Sequence, residues 1–582
     1  MSKNNYNYPL AGYPAWAQEL ARKYLSRTVN QFILHGNVYD LVPVERESGS
    51  KEFLTFRRFL GDELFGARYY VLFYDRSAGI FFRDHQSQRD FNQAVAGRDS
   101  IAGTEYAKKM PKDPVRVLSL LEQYFRTRIE DSKSIACIIN YAETVVPMSE
   151  AGMAGSEDRN SLVYLAKWAH DPLFLAADFT LTLTTENLAD LHRSLVQNPY
   201  TSEIAMDRPK YENRLHFIQS ELKTSKEQEK LSSDMSNEVL AQQTAGLNFI
   251  NIRSILSNAR ENKQKLTGEL LSESKKELIE AEAYNLLEFV ETDYTLDNVA
   301  GHNKVKAHLR ESAKALKSGR PDVLPMGYLV AGPVGTGKTF MVTCFAGEVG
   351  IPMVKLKNFR SQWQGVTEGN LQKILTLLKA MSPVAVMIDE ADAYLGNRDA
   401  SGDSGVSSRV FSQIAAFMSD TANRGKILWF LMTARPDLMP IDLKRQGRAE
   451  EHLALFPPSS EEERVELFNA MKHKTGITMT KNHIPEIVKN PATNFSGADM
   501  EAALTRAKFR AASQGYKRIT PEILDETFQD FLPPTYPEEV ELQTLSAVIE
   551  CTSRSMLPKQ YAEMDREHIM QRIEQLKFEN GW

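Results

Sequence analysis

Residues 332–339 constrain the fold of this chain most, because they read G-x-x-x-x-G-K-[ST]. The apolar run 328–331 before them predicts a buried strand, and residues 340–349 after them predict an amphipathic helix. In a strand, glycine turn and helix of this order, backbone N–H groups and the helix dipole point at a bound polyanion. Lys338 can then reach the β- and γ-phosphates of a nucleotide, and the Thr339 hydroxyl can hold Mg²⁺. The sequence therefore predicts an α/β domain with a phosphate site at this turn.

A second apolar run ends in two acidic side chains. Residues 384–388 predict a strand, and Asp389 and Glu390 follow it directly. In an open parallel sheet, ligands bind at the carboxyl edge of the strands. Asp389 is placed to bind Mg²⁺, directly or through water, and Glu390 to orient and polarise a water for attack on the γ-phosphate. This pair, after such a glycine turn, indicates nucleotide hydrolysis.

Composition argues against several other classes of protein. The 582 residues are 42% hydrophobic and 25% charged, which is ordinary for globular domains. A net charge of −6 gives no overall basic field for nucleic acid, and no apolar run is long enough to span a bilayer. Three scattered cysteines do not form a disulfide or zinc pattern, and no H-E-x-x-H motif of a zinc protease is present. Because the N-terminus also lacks an apolar signal region, we expect a cytoplasmic protein.

Strand and helix signals follow the same plan in both halves of the chain. Predicted strands in the first half lie at 31–34, 69–74, 134–139 and 179–184, and in the second half at 328–331, 353–356, 384–388 and 427–432. A mainly helical stretch follows each set, at about 238–288 and 461–530. The plan predicts two copies of one architecture, a sheet domain followed by a small helical domain. Two unrelated α/β domains are the alternative, because the short motifs shared by the halves recur by chance.

Four segments of the second half resemble the AAA subgroup of the AAA+ ATPases. They are Asp297-Asn298-Val299-Ala300-Gly301, Arg435-Pro436-Asp437, residues 442–448 and Phe495-Ser496-Gly497-Ala498-Asp499. In that family the first segment lies against adenine, the second follows the sensor-1 strand, the third carries arginine fingers and the fourth opens a lid helix. The resemblance covers residues 293–535 and implies a P-loop NTPase (AAA+) fold, a parallel sheet with a small helical lid domain.

The resemblance also implies roles for individual residues. Lys338 and Glu390 would be catalytic, and Thr339 and Asp389 would hold Mg²⁺. Arg445 and Arg448 are candidate arginine fingers that reach the γ-phosphate in a neighbouring subunit, and two surface arginines are the alternative. The residues expected to bind ATP are Val299, Gly301, Pro333, Val334, Gly335, Thr336, Gly337, Lys338, Thr339, Phe340, Asp389, Gly497 and Ala498.

Two further positions bear on what hydrolysis could drive. The family usually has asparagine where this chain has Ala434, so either Thr433 takes over the positioning of water or hydrolysis is slow. Trp363 stands next but one to Gly365, which resembles the aromatic–x–Gly pore loop that grips a polypeptide in AAA+ translocases. The alternative for Trp363 is a place in a hydrophobic core.

The first half lacks the residues that would hold MgATP. The turn after the strand at 69–74 contains no lysine, and Asn140 stands where a metal-binding aspartate is expected. Glu143 is the nearby acidic residue. We therefore expect the first copy to be a degenerate AAA+-like module that serves as structure or substrate platform.

These observations lead to one expected architecture and two expected functions. The expected domains are a degenerate α/β domain at 1–230, a helical lid and linker at 231–290, an ATPase core at 291–460, a helical lid at 461–535 and a helical tail at 536–582. The leading function is an ATPase that forms a ring, expected to be a hexamer, and remodels or threads protein substrates. The alternative is an ATP-controlled assembly scaffold or signalling switch with slow hydrolysis. A DNA-directed motor is disfavoured by the acidic composition.

Overall fold

The computed structural model describes residues 10–46, 49–148, 155–224, 232–284, 286–318, 320–357, 368–395, 406–491, 495–533 and 536–581. Contacts divide the chain into two compact units, Met1–Ile279 with Val366–Ala380, and Glu280–Gly365 with Met381–Trp582. A six-stranded sheet with helices forms the centre of each unit. Trp363 lies outside the described residues. Among the helices in the described residues, none has the length and apolar character to cross a membrane.

The first unit contains a mostly parallel sheet and a separate hairpin. Its strands are β1 (Gln31–Gly36), β2 (Leu41–Glu45), β3 (Lys51–Thr55), β4 (Tyr70–Asp75), β5 (Gly79–Phe82), β6 (Ile135–Ile139), β7 (Phe179–Thr185) and β8 (Thr201–Met206). The sheet order is β5-β4-β6-β7-β1-β8, and β5 is its antiparallel edge strand. Within the described residues, strands β2 and β3 form a separate antiparallel pair. Buried apolar clusters cover the sheet, and β6 and β7 are therefore buried along their whole length.

The second unit repeats this arrangement. Its strands are β9 (Leu287–Phe289), β10 (Gly327–Ala331), β11 (Met353–Leu356), β12 (Val384–Ile388), β13 (Ile427–Thr433) and β14 (Glu451–Ala454). They lie in the order β14-β10-β13-β12-β11-β9. Strand β9, which the sequence analysis placed in a helical linker, is the antiparallel edge strand. The fully buried strands β10 and β12 have the continuous apolar sequences typical of parallel sheets covered on both faces.

The two sheets correspond strand for strand. Reading from one edge, β8-β1-β7-β6-β4 of the first matches β14-β10-β13-β12-β11 of the second, and every neighbouring pair is parallel. The registers also agree, since Ile139 pairs with Leu183 as Ile388 pairs with Leu431. The prediction of two tandem copies of a parallel-sheet architecture is therefore confirmed.

This correspondence corrects one detail of the sequence analysis. The strand that matches β10, and therefore precedes the position of the glycine turn, is β1 and not the strand predicted at 69–74. Gly36 at the end of β1 matches Gly332 after β10, and both have positive φ angles, 96° and 150°. After Gly36 the chain forms the β2–β3 hairpin instead of a loop and a helix. Strand order depends on long-range pairing, which the local pattern does not reveal.

Helices flank both sheets and form the two small helical domains. Those with five or more residues that begin before residue 280 are Ala15–Leu25, the π-helix Phe59–Leu64, His85–Ala102, Pro114–Glu130, Ser156–His170, Pro172–Ala176, Tyr211–Thr224, Asn237–Gln243, Phe249–Glu261 and Gly268–Glu282. Those that follow in the chain are Asn303–Lys317, Lys338–Val349, Glu368–Met381, Ala391–Leu395, Val406–Met418, Glu461–Lys474, Gly497–Ser513, Pro521–Asp530, Pro537–Glu550 and Arg566–Asn580.

The helical domains of the two units also match. In the first, the parallel bridge between Ser233 and Leu266 ties the segment before Asn237–Gln243 to the segment before Gly268–Glu282. In the second, the bridge between Met479 and Ile519 makes the equivalent link. The helix Phe249–Glu261 of the first domain therefore takes the place of Gly497–Ser513 in the second. We call β1–β8 with the helices up to Glu282 the first module, and β9–β14 with the helices from Asn303 to Asp530, except Glu368–Met381, the second module.

Candidate nucleotide-binding site

The predicted phosphate loop connects β10 to the helix Lys338–Val349. Gly337 caps this helix in a left-handed conformation with φ of 81°, so the helix begins at the lysine of the motif. A helix N-terminus carries unpaired N–H groups and a partial positive charge. The loop therefore presents the backbone donors that a polyphosphate requires.

At two positions of the loop, neighbouring atoms lie too close to the backbone for any residue with a Cβ atom, so glycine is required. A Cβ atom at Gly332 would lie 2.2 Å from the carbonyl oxygen of Leu455, at the end of the neighbouring strand β14. At Gly335, where φ is 80°, a Cβ atom would lie 2.6 Å from the Cβ of Ser496. Ser496 caps the helix Gly497–Ser513, and the Gly497 N–H lies 3.4 Å from the Gly335 carbonyl oxygen. The glycines thus let the phosphate loop contact both the sheet and the helical domain.

Lys338 lies folded over the loop. Its Nζ donates hydrogen bonds to the carbonyl oxygens of Gly332 at 2.8 Å and Pro333 at 3.0 Å. Burial lowers the pKa of Lys338 to about 8, while the carboxylates of Asp389 and Asp392 act in the opposite direction. A bound polyphosphate adds negative charge here and favours the protonated ammonium. Lys338 is therefore positioned to neutralise a phosphate group.

Two oxygen donors suited to a divalent cation lie next to the loop. The Thr339 hydroxyl lies at the start of the helix and donates to Asp389 Oδ2 at 3.2 Å. Asp389 follows β12 directly, and its Oδ1 accepts a hydrogen bond from the Glu390 N–H at 3.1 Å. Hydroxyl and carboxylate oxygens beside a phosphate site are the ligands that Mg²⁺ uses in such proteins. This donor set fits MgATP.

Lys355 contacts the same carboxylate, and the sequence analysis did not single it out. Its Nζ lies 3.4 Å from Asp389 Oδ2, and its side chain is 35% exposed. Lys355 is the charged residue of β11, whose other residues Met353, Val354 and Leu356 are buried. A cation within an apolar strand is the signal that could have revealed it.

The end of β13 holds the predicted sensor-1 segment. The Thr433 hydroxyl donates to Asp392 Oδ1 at 2.6 Å and accepts from the Arg435 N–H at 2.8 Å. Thr433 is 1% exposed, so its hydroxyl is engaged within the turn. These bonds argue against the expectation that Thr433 replaces the missing asparagine. Glu390, with φ of 50°, is exposed at the adjacent strand end.

A cavity of about 240 Å³ lies beside the phosphate loop, between the sheet domain and the helical domain. Its lining residues are Tyr294, Asp297, Asn298, Val299, Ala300, Phe340, Glu466, Asn469, Ala470, Met471, His473 and Lys474. Val299 and Phe340 were both predicted to contact the nucleotide, and the Tyr294 and Phe340 rings pack edge to face at 5.6 Å. The cavity suits a planar heterocycle such as a purine.

A buried lysine ties this cavity to the helical domain. The Lys306 Nζ donates to the Val299 carbonyl oxygen at 2.8 Å and lies 3.6 Å from Glu466 Oε1. Gly301, the last predicted residue of the segment, adopts a left-handed φ of 65°. His302 beside it is hydrogen bonded to the Thr336 backbone, and burial lowers its pKa to about 4. The predicted adenine segment, the phosphate loop and the helical domain are therefore directly connected.

The two predicted arginine fingers have different surroundings. The Arg448 side chain is 12% exposed, and it donates to Ser419 Oγ at 2.7 Å and to the Asp442 carbonyl oxygen at 2.6 Å. The Arg445 side chain is 61% exposed and lies 3.8 Å from Asp442 Oδ1. Arg448 is thus held within its own chain, whereas Arg445 presents its guanidinium at the surface.

The C-terminal helices contact three parts of this site. Gln543, which is 2% exposed, accepts a hydrogen bond from the Val334 N–H of the phosphate loop at 3.0 Å. Lys577 lies 2.8 Å from Asp437, which holds Arg435 through two hydrogen bonds of 3.0 Å. The Glu550 carboxylate pairs with Lys444, near the predicted arginine fingers. An apolar cluster that includes Ala331 and Ala454 joins these helices to the strand ends. The C-terminal segment is therefore part of the site's support.

The first module fills the corresponding edge with its own side chains. Asp40 is 4% exposed, and its carboxylate accepts hydrogen bonds from the N–H groups of Phe249 at 3.0 Å and Ile250 at 3.2 Å. These N–H groups open the helix that corresponds to Gly497–Ser513. The rings of Tyr39 and Tyr141 stack with centroids 4.9 Å apart. Tyr141, with φ of 52°, occupies the place of Glu390, directly after Asn140.

Three family models match successive parts of the chain. The model for the N-terminal Rossmann-like domain of AAA+ chaperones matches residues 5–207, and the model for their second helical domain matches residues 212–284. The model for ATPases associated with various cellular activities (AAA) matches residues 328–456. The last match contains the phosphate loop, Asp389, Glu390 and the two candidate arginine fingers.

Curated relatives are similar to part of this chain. A cell division cycle protein 48 homolog of Archaeoglobus fulgidus is 28% identical over 37% of this chain and 32% of its own length. An ATP-dependent zinc metalloprotease FtsH of Caldicellulosiruptor bescii is 29% identical over 40% of this chain and 39% of its own. An uncharacterized AAA domain-containing protein ycf46 of Gracilaria tenuistipitata var. liui is 29% identical over 47% of this chain and 55% of its own.

The chain thus spans between about a third and just over half of the length of these relatives. The family models, in contrast, match both domains of the first module and the sheet domain of the second in order, and the strand correspondence agrees with them. This protein is an AAA+ protein in which the N-terminal and second domains of an AAA+ chaperone precede an AAA ATPase domain.

Proposed function

We propose that this chain is an oligomeric AAA+ ATPase that couples ATP binding and hydrolysis in its second module to the remodelling or threading of protein substrates. The observation that carries the proposal is the convergence of Lys338, Thr339 and Asp389 at one sheet edge, next to the first turn of the helix Gly497–Ser513. The match to AAA+ chaperone domains favours a protein substrate over a nucleic acid. The cytoplasmic location expected from the sequence stays a prediction.

Each residue of the site has a defined task in this proposal. The phosphate-loop N–H groups and Lys338 bind and orient the β- and γ-phosphates. Thr339 and Asp389 would hold Mg²⁺, which neutralises charge on the phosphates. Glu390 orients a water molecule for in-line attack and accepts its proton. The first turn of the lid, at Gly497 and Ala498, covers the nucleotide and excludes bulk water.

Hydrolysis is tested with Glu390→Gln. This change keeps the phosphate contacts and removes the carboxylate that polarises water, so ATP affinity should stay within about twofold while phosphate release falls by at least about 100-fold. Calorimetry and a phosphate-release assay measure the two quantities. Glu461→Gln, an exposed carboxylate on the helix Glu461–Lys474, is the matched control and should change neither. Turnover of Glu390→Gln at the wild-type rate would assign the water to another residue.

Ring assembly is the second part of the proposal. We propose that Arg445, more exposed than Arg448, completes the site of a neighbouring subunit, while Arg448 positions the segment that carries it. Specific activity should then rise with protein concentration, and negative-stain images with ATP should contain rings. Mixing inactive Lys338→Ala subunits with inactive Arg445→Ala subunits should restore activity, because some interfaces then join an intact phosphate loop to an intact arginine. Rings whose activity is independent of Arg445 would remove it from the site.

The same site supports one alternative, an ATP-controlled scaffold or switch with slow hydrolysis. The observation that favours it is Ala434 beside a Thr433 hydroxyl already bonded to Asp392. Trp363→Ala separates the two proposals, because it removes the predicted polypeptide grip and not the phosphate contacts. In the remodelling proposal this variant hydrolyses ATP but fails to unfold a protein substrate. If it retains ATPase activity and substrate unfolding, Trp363 is not the grip; a wild-type chain that hydrolyses ATP and unfolds no substrate would favour the switch.

A further inference from the structure

Asp389 shares one carboxylate oxygen between two donors. The Thr339 hydroxyl lies 3.2 Å from Oδ2, and the Lys355 ammonium lies 3.4 Å from the same atom. Lys355 is the β11 residue that pairs in register with Met387, two residues before Asp389 on β12. A neighbouring strand of the sheet thus places a positive charge beside the carboxylate that is expected to serve the metal.

The charges around Asp389 make this contact important. Mg²⁺ is attracted by the carboxylate charge and would approach the Thr339 and Asp389 oxygens. An ammonium beside Oδ2 already compensates part of that charge and repels an approaching divalent cation. The ammonium also offsets the repulsion between Asp389 and a nearby phosphate. Both effects reduce the difference between the ATP affinity with Mg²⁺ and the ATP affinity without it.

The first module offers an internal comparison. By strand register, Phe73 on β4 takes the place of Lys355, because it pairs with Ile138 as Lys355 pairs with Met387. Asn140 takes the place of Asp389 there. In the two modules the lysine accompanies the aspartate, and a buried phenylalanine accompanies the asparagine. If Lys355 is the charge partner of Asp389, a lysine is expected at this position only where the aspartate is present, as found in the two modules.

We propose that Lys355 is a positioning residue which acts as a built-in counter-cation for Asp389 and makes ATP binding in the second module less dependent on Mg²⁺. The proposal rests on the proposed function, since it concerns the same nucleotide site. It adds a residue and a property that the phosphate-loop motif does not contain. Lys355 acts through Asp389 and is not assigned a contact with the nucleotide.

The test is the ratio of ATP affinities measured by calorimetry with Mg²⁺ and with EDTA. In Lys355→Met this ratio should rise about fivefold over the wild type, the size expected for a partly exposed ion pair. The Mg²⁺ concentration at half-maximal ATP-induced thermal stabilisation should fall by about the same factor. Lys355→Arg retains the charge and should restore the wild-type ratio.

Lys357→Met is the matched control. Lys357 lies just beyond the same strand, and its ammonium is 3.5 Å from Glu288 on the edge strand β9, so the ratio should stay at the wild-type value. An unchanged ratio in Lys355→Met overturns the inference, including the case in which affinity falls equally in both buffers. A wild-type protein that binds no ATP in either buffer overturns the proposed function as well.

Discussion

The sheets of the two modules have the same strand order and differ in the residues at their carboxyl edges. After β10 the chain forms a glycine loop and a helix that begins at Lys338, whereas after β1 it forms a β-hairpin. The carboxylates Asp389 and Glu390 of the second module are replaced by Asn140 and Tyr141 in the first. Strand order and register are unaffected by these changes. The parallel sheet is therefore a common scaffold, and the turns at its carboxyl edge determine the chemistry of each module.

The helical domains of the two modules also differ, in what the first turn of the corresponding helix contacts. In the second module the first turn of Gly497–Ser513 lies against the phosphate loop. In the first module the corresponding N–H groups, those of Phe249 and Ile250, bind the Asp40 carboxylate. Burial raises the pKa of Asp40, although hydrogen bonds from Asn37 and from backbone N–H groups act to lower it. The first module thus supplies from its own chain the anion that a helix N-terminus attracts.

Nucleotide binding is the property in which we expect the two modules to differ most strongly. Lys338→Ala should abolish ATP-induced thermal stabilisation of the full chain, because the second module loses the ammonium that binds the phosphates. For wild type, ATP at 100 times its Kd should add about 2.7 kcal/mol to the free energy of unfolding. Lys426→Ala changes an exposed lysine before β13 and serves as the control with wild-type stabilisation.

The result of this experiment also tests the first module directly. If Lys338→Ala retains an ATP-dependent shift, a second nucleotide site exists. The hairpin after β1 and the Asp40 contact would then have to open for the ligand. A complete loss of the shift confines nucleotide binding to the second module.

Much of the second module follows from its sequence. The predicted strands at 353–356 and 384–388 coincide with β11 and β12. The continuous apolar run of β12 is typical of a strand buried on both faces, and β11 is apolar apart from Lys355. The motif residues Lys338, Thr339 and Asp389 come together as their spacing predicts. Motif spacing around a strand end therefore suffices to predict that these side chains lie near each other, and their roles in nucleotide binding stay predictions.

The features that the sequence did not reveal depend on distant contacts. Strand β9 has three residues and no periodicity, and it exists because β11 offers an edge for pairing. The match between β1 and β10 is a property of strand order. Lys355 and Gln543 reach the site from a neighbouring strand and a C-terminal helix, so no motif contains them. Their roles depend on tertiary packing, which local patterns do not encode.

The second prediction concerns stability of the first module. Asp40→Ala should lower the free energy of unfolding by about 2–4 kcal/mol, because the N–H groups of Phe249 and Ile250 lose their acceptor in a buried place. Thermal unfolding of the full chain measures this as a lower first transition. Thr336→Ala, which changes the residue at the equivalent distance from Gly332, removes one hydrogen bond to the Pro333 carbonyl oxygen and should lower stability by no more than about 1.5 kcal/mol.

A small effect of Asp40→Ala would contradict the view that this carboxylate holds the first module together. ATP affinity gives an independent measure, since Asp40 lies outside the second module. We expect wild-type ATP affinity in Asp40→Ala at temperatures where the first module stays folded.

The third prediction addresses the support of the phosphate loop. Gln543→Ala removes the acceptor of the Val334 N–H, so the loop is held less firmly and ATP affinity should fall about fivefold, the equivalent of one hydrogen bond. Calorimetry measures the change. Gln575→Ala, on the exposed side of the neighbouring helix Arg566–Asn580, should leave affinity unchanged. Equal affinities for Gln543→Ala and wild type would show that packing alone holds the loop.

The weakest change is expected at Ala434, the residue that follows β13; its counterpart in the first module is Glu186, which follows β7. Ala434→Asn introduces an amide next to Thr433, at the position where the resemblance to AAA ATPases expects one. Removal of a well-placed donor typically slows a reaction ~100-fold, but a donor added to an adapted site recovers only part of this, roughly threefold in phosphate release. Glu186→Asn is the matched change in the first module and should leave the rate unaltered. A slower Ala434→Asn enzyme would show that this site positions its water without the sensor-1 amide.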